Sequence, residues 1–271
     1  LSIHSFPTRR SSDLFSMGVK GAALATSFSQ ILAFSYAVFR FLKVKKEINL
    51  EFKFIFERKI VKTIISVGFS TFIVEASDGL LSIVFNNLLS ASGGDDAVVI
   101  IGTITKVSMF LFITVLGISS AMQPIAAFNY GAKNYEKLKL VIKETIIFIT
   151  ATTLVVWGLM MIFPSNLIGI FLKDEDLLLR AVRAFRIVII IFPCVGIYYV
   201  SIYCCQALGK AKASFILSIY RETLICIPAA IILVYSLGTL GAWIAYPVSD
   251  GIAALTGLFY IKKITNKLKA Y

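Results

Sequence analysis

The sequence predicts an all-α integral membrane protein of seven transmembrane helices, one helix followed by a six-helix bundle. Three observations carry that prediction. Hydrophobic residues make up 58% of the 271 and charged residues only 15%, where soluble globular chains carry about 25% charged residues; the mean hydropathy is +0.86. Several apolar runs exceed the ~20 residues that a helix needs to cross a bilayer. Lys and Arg gather beside the ends of those runs, the pattern that orients membrane proteins. The net charge of +12 is therefore a membrane signal, and no nucleic-acid-binding motif accompanies it.

The first stretch, "LSIHSFPTRRSSDL" (1–14), is polar and lacks the apolar core of a signal peptide. It reads as a segment foreign to the membrane pattern, with a native extramembrane loop as the alternative, and it is set aside from the fold. Segment 15–42 holds the first apolar helix (17–42), which reads as the last helix of a missing N-terminal bundle. A basic linker, 43–59, separates it from the rest. Six apolar helices follow within 60–271, at 60–90, 97–128, 138–163, 181–207, 212–236 and 239–262. Only helices satisfy the backbone of such runs inside a bilayer. The stretch "FPSNLIGIFLKDEDLLLRAVRAFR" (163–186) mixes charges of both signs and reads as a short helix lying in the outer interface.

Eight Lys or Arg follow the first helix, four (Lys133, Lys137, Lys139, Lys143) follow 97–128, three (Lys210, Lys212, Arg221) surround the 207–212 junction, and four follow 239–262. These nineteen of 27 fall on one side in an alternating topology. That side, with the C-terminus, is expected to be cytoplasmic. The loops "SASGGDDA" and "YSLGTLG" carry no Lys or Arg and belong outside.

The cysteines, Cys194, Cys204, Cys205 and Cys226, lie within apolar runs without metal-ligand spacing and read as small packing residues. His4 has no Cys or His neighbour, so no metal site is expected. No nucleophile–base pattern or Gly-rich phosphate loop is present, and an enzyme is not expected.

A carboxylate at bilayer depth is a functional candidate by default. "STFIVEASDGLLSIVFNN" holds Glu75 and Asp78 on one helical face, continued by Thr71, Ser82 and Asn86. Such a stripe suits a helix lining a wet cavity, with a polar seam between packed helices as the alternative. Lys106 lies at the depth of Asp78 and is expected to pair with Asp78 or Glu75. Asp250 follows Pro247, where a kink could expose carbonyls. Arg221 and Glu222 are further polar groups of the membrane region, and Arg221 is expected to reach for the cytoplasmic face. Tyr198, Tyr199 and Tyr203 would suit either a cation-accepting wall or packing.

Near the end of 97–128, Gln123 and Pro124 precede Asn129, Tyr130 and Gly131. Pro124 should kink the helix and Gly131 should end it in a left-handed cap. The whole stretch, "GISSAMQPIAAFNYGAKNYEKLK", resembles the signature of the MATE (multidrug and toxin extrusion) transporters, in particular their MepA/DinF-like bacterial branch. "MGVKGAALAT", "CCQALGKAKAS", "SIYRETLICIP" and "LGAWIAYPVSD" resemble the family's sixth helix, its tenth-to-eleventh junction, its eleventh and its twelfth helix, in that order. The resemblance covers about 17–262. It implies a twelve-helix fold of two six-helix bundles, of which this chain would hold the sixth helix and the second bundle. It further implies secondary active efflux of organic cations against Na⁺ or H⁺, with no cofactor, and Glu75 as the helix-seven carboxylate that couples them, possible Na⁺ binding included. The acidic residue that some members carry in the tenth helix is absent from "FPCVGIYYVSIY". The alternatives are a lipid-linked oligosaccharide flippase of the same broad fold and an inactive fragment. The expected partners are small organic cations, the lipid bilayer and the missing bundle, in a multi-pass cell membrane protein.

Overall fold

The computed structural model describes residues 18–48 and 57–267; residues 1–17, the linker stretch 49–56 and the last four residues lie outside the described part. Every regular element among the described residues is a helix. The chain divides into two units, 1–61 and 62–271, and each is taken by itself. The first contains α1, Gly18–Ile48, which runs six residues past the expected end into the basic linker. Its side chains from Ala23 to Val44 are exposed.

The second unit opens within α2, Arg58–Gly131. A straight helix of that length would far exceed a bilayer. Gly94 interrupts it, with φ 69° and ψ −165°, a conformation open only to glycine. The chain folds back there. Arg221 lies within electrostatic reach of Asp78 and under 6 Å from the ring of Phe112, two residues that a straight helix would hold about 51 Å apart. The two arms, 58–93 and 95–131, correspond to the expected helices 60–90 and 97–128. On the second arm, Ile100, Ile104, Val107, Leu111, Val115, Ser119, Met122 and Ala126 are buried, the three-and-four spacing of one helical face.

The second arm ends differently from the expectation. Gly131 stays helical, and Lys133 takes the left-handed conformation, φ 56°. Asn134 N–H reaches Asn129 O (2.9 Å) and Lys133 N–H reaches Tyr130 O (3.0 Å), the paired bonds of a Schellman motif with Lys133 at C′. Asn134 then caps α3, Tyr135–Ile162, by accepting from Lys137 N–H. Backbone angles remain helical through Pro124.

The expected single span 181–207 is two helices, α5 (Glu175–Val188) and α6 (Phe192–Ala207), bent by 50°. Before them, the short α4 occupies Pro164–Ile168. Pro193 explains the bend: it has no N–H, and its ring excludes the carbonyl four residues back, that of Ile189. That carbonyl, without a bond from residue 193, accepts from Phe192 N–H at 3.0 Å and from Trp157 Nε1–H at 2.8 Å. The mixed-charge stretch forms α5 itself, capped by Asp174 and started by Glu175 and Asp176. Its buried face, Ala181, Ala184, Phe185 and Val188, packs on α9 instead of lying free in the interface.

The expected helix 212–236 runs Ala211–Leu237 as α7 (Ala211–Ile219), a π-helical turn (Tyr220–Cys226) and α8 (Ile227–Leu237). Pro228 follows that turn; in a regular helix its ring would strike Leu224 O, and a wider turn upstream relieves the clash. α9, Thr239–Lys267, is the centre of the unit, packing against α5, α6, α8 and the π-helical turn. Gly257 permits a close approach of α6 and α9, since a Cβ there would stand 2.7 Å from Tyr198 Cα.

The turn around Gly94 adjoins the start of α9, where a Cβ on Gly93 would overlap Thr239, and Asp96 accepts from Arg180 of α5 at 2.9 Å. The expected outer loops thus share one end of the unit. Phe148, Ile232 and Leu255 are among many large apolar residues left exposed. This is the surface expected of an integral membrane protein, for which acyl chains are the solvent.

Candidate functional site

Consecutive residues of the π-helical turn, Arg221 and Glu222, both point into the unit. Arg221 is 7% exposed, Glu222 9% and Asp250 3%. The Arg221 fork spans two carboxyls: Nη1 donates to Asp250 Oδ1 at 3.0 Å and Nη2 to Glu222 Oε1 at 2.7 Å. Its Cζ sits 5.4 Å from the centre of the Phe112 ring, a cation–π placement. Phe112 is in turn held edge-on by Phe192 at 4.8 Å and Tyr199 at 6.3 Å.

Two further bonds fix the turn. Ser249 Oγ donates to Arg221 O at 2.7 Å, so the residue beside Asp250 binds the backbone that carries its partner. The Tyr198 hydroxyl donates to Leu217 O, one turn earlier. On the first arm of α2, Asp78 is an exposed residue within electrostatic reach of Glu222 and Arg221. Phe85 ties that arm to Tyr246 of α9, ring to ring at 4.8 Å.

The result is two carboxyls held on one guanidinium in an apolar bundle, with a third acid, Asp78, within electrostatic reach. A guanidinium does not deprotonate, so the buried cation must keep an anionic partner. An arrangement with more acids than bases at bilayer depth can exchange a proton or attract a cation.

The residues singled out in the sequence divide into two groups. Asp250 belongs to this cluster, and Asp78 lies within electrostatic reach of it. Arg221 belongs to it too, and it does not reach for the membrane surface: its charge is consumed internally, which removes it from the count of basic loop residues. Lys106 is exposed and holds its Nζ 5.9 Å from the Phe171 ring; the cation within electrostatic reach of Asp78 is Arg221. Asn86 and Ser82 are exposed on the first arm. The side chains of Glu75 and Thr71 lie outside the described residues. Gln123, Pro124, Asn129, Tyr130 and Gly131 stand at the far end of the second arm, where Asn129 Nδ2 donates to Ile125 O at 2.8 Å and Tyr130 meets Tyr135 ring to ring. Tyr198 is buried as a packing and hydrogen-bonding residue.

Glu222 is the residue whose importance sequence reasoning missed. The available signal was two adjacent charges in an apolar run, seven and six residues before a proline.

Comparison with known proteins agrees with this fold. The chain is 23% identical over 255 residues to the multidrug export protein MepA of Staphylococcus aureus (strain MSSA476), covering 94% of this chain and 56% of that protein. It is 24% identical over 255 residues to MepA of Staphylococcus saprophyticus, with the same coverage. The chain therefore spans about half the length of the curated relatives it matches. A solved outward-facing conformation of a multidrug resistance MATE family transporter of the MOP superfamily superposes with a TM-score of 0.82 at 23% identity, over 94% of this chain and 58% of that one. The MatE family model matches residues 65–236, well over half the chain, and the chain belongs to that family.

Proposed function

We propose that the chain serves secondary active multidrug efflux, moving organic cations out of the cell against an inward flow of H⁺ or Na⁺. The observation that carries the proposal is the pair of buried acids, Glu222 and Asp250, on Arg221, with the exposed Asp78 within electrostatic reach of them. The acids outnumber the base, so an incoming organic cation and a coupling ion compete for the same negative charge. That competition becomes antiport when two conformations of the transporter expose the cluster to opposite sides. A proton suits the cluster better than Na⁺, because the guanidinium already occupies carboxylate lone pairs that a metal ion would need. The excess of acid also favours a cationic substrate over the anionic, lipid-linked substrate of a flippase. Glu75, three residues before Asp78, is retained as a second coupling carboxyl, and Asn86 and Lys106 as cavity residues.

The basic loops orient the unit with its C-terminus in the cytoplasm of a cell membrane protein. The other half of the cavity would come from a second bundle, as in transporters built from paired repeats.

Everted vesicles bearing the chain, given an imposed pH gradient and a fluorescent organic cation, test the proposal. Gradient-driven dye movement is expected and should be lost in Asp78→Asn. Movement by that variant at the unaltered rate, with the same pH dependence, would remove the cluster from the coupling step; no movement by the unaltered chain would point to the inactive alternative.

A further inference from the structure

We propose that one water molecule is bound inside the break between α5 and α6, bridging the hydroxyl of Thr153 on α3 to the main-chain carbonyl of Val188. This site does not depend on the efflux reading.

The break opens the carbonyl. In a continuous helix Val188 O would accept from Phe192 N–H, four residues on. Phe192 N–H donates instead to Ile189 O at 3.0 Å, and Cys194 N–H to Ile191 O at 2.9 Å, each one residue tighter than the α-helical register. Trp157 Nε1–H adds its bond to Ile189 O, the neighbouring carbonyl. Val188 is buried, and the last carbonyls of a helix point out of its final turn, here into the break.

The hydroxyl comes from α3. Thr145 and Thr152 turn theirs back onto Val141 O and Phe148 O, each at 2.7 Å, the usual recourse of a helical threonine. Thr153 does not: it is fully buried, and its Oγ1 has no hydrogen-bond partner in the protein. Two contacts fix where it faces. Four residues before it, Ile149 packs on Gly196, where a Cβ would stand 3.2 Å from Ile149 Cγ1. Four residues after it, Trp157 bonds Ile189 O. The two segments run antiparallel, so Thr153, midway on the same face, stands opposite residues 192–193, where α6 begins. Thr150, three residues earlier, brings a second buried and unpartnered hydroxyl.

The chemistry selects water over an ion. The C-terminal end of α5 and the N-terminal end of α6 meet at the break, and their partial charges are opposite. A cation would face the amides of α6, and an anion the carbonyls of α5. Water donates to Val188 O and bonds the Thr153 hydroxyl in either sense, within the two to four bonds that a buried water makes. Phe192, the first residue of α6, also holds Phe112 edge-on at 4.8 Å. The water therefore sits behind the ring that carries Arg221.

Thr153→Val keeps the shape of the side chain and removes the hydroxyl, and the sign of its effect on stability is the test. With the water in place the variant strands Val188 O, and the unfolding equilibrium of the purified chain in mixed micelles should move about tenfold toward the unfolded state, the net worth of one hydrogen bond. A hydroxyl with no water to bond is a liability, and its removal would leave the midpoint unmoved or raise it; either result would overturn the proposal. Crystals of the unaltered chain grown from a lipid mesophase should show one water oxygen about 2.7–3.2 Å from both Thr153 Oγ1 and Val188 O, and crystals of Thr153→Val should not. Thr153 Oγ1 bonded to Ile149 O, or a site that takes up rubidium or bromide on soaking, would also overturn it. Should Thr153→Val fail to insert, the crystals of the unaltered chain decide alone.

Discussion

Replacing Arg221 with Met removes the guanidinium while keeping an unbranched side chain of similar reach over Phe112. Two charge-assisted hydrogen bonds disappear, at 2.7 and 3.0 Å, each worth about 1.5–3 kcal/mol. Two carboxyls at 9% and 3% exposure then face each other without a cation. Breaking a buried pair by removing one partner destabilises by about 3–5 kcal/mol, in line with the two bonds taken together. The unfolding equilibrium should move by roughly two to three and a half orders of magnitude. Removing all three charges together is a different perturbation. The triple variant Arg221→Met, Glu222→Met, Asp250→Leu leaves no ion stranded and no buried amide unpaired, and replacing a buried ion cluster by apolar residues of similar volume is often neutral in stability or gains by it. It should recover most of what the single variant loses. Detergent-driven unfolding of the purified chain in mixed micelles, followed by far-UV circular dichroism, measures both. An unmoved midpoint for Arg221→Met would refute the buried fork, and a triple variant as unstable as the single one would refute charge stranding as the cause.

Gly257→Ala places a methyl group 2.7 Å from Tyr198 Cα, where ordinary contact begins at 3.4 Å, so α6 and α9 must part by roughly 0.7 Å at a cost of about 1–3 kcal/mol; the same unfolding titration should show it, and a null effect would mean that the two helices do not touch there. Asp95→Cys, made after the native thiols are replaced, should react with membrane-impermeant maleimide from outside intact cells; reaction from the cytoplasmic side alone would invert the proposed orientation.

Much of the scaffold was legible in the sequence because membrane helices obey local rules. The buried face of the second arm, from Ile100 to Ala126, follows directly from helical periodicity. The reversal at Gly94 follows from "SASGGDDA", where two glycines and two acids interrupt the apolar pattern. Gly131 was misread because the motif is one of geometry and not of residue type: the chain needed two more residues before its left-handed position, which fell to Lys133. The bend before α6 was equally local, since Pro193 frees the Ile189 carbonyl, but its relief through Trp157 is a contact across 32 residues that no window along the chain contains.

The candidate site was legible in its acids and illegible in its pairing. Depth alone nominated Asp78 and Asp250. It also made Lys106, at a matching depth, the natural cation for Asp78, because depth says nothing about which way a side chain turns around its helix. Arg221 looked free to reach the surface for the same reason. What turns it inward is the backbone. Pro228 cannot accept a regular helix running up to it, the turn at Tyr220–Cys226 widens, and every side chain upstream is rotated from where an α-helical count would put it. Ser249 then holds the widened turn by binding Arg221 O, from the same stretch of α9 that presents Asp250. The proline, the serine and the two acids of the fork are thus one device: a departure from helical regularity, fixed by a tertiary hydrogen bond, that sets a permanent cation between two buried carboxyls.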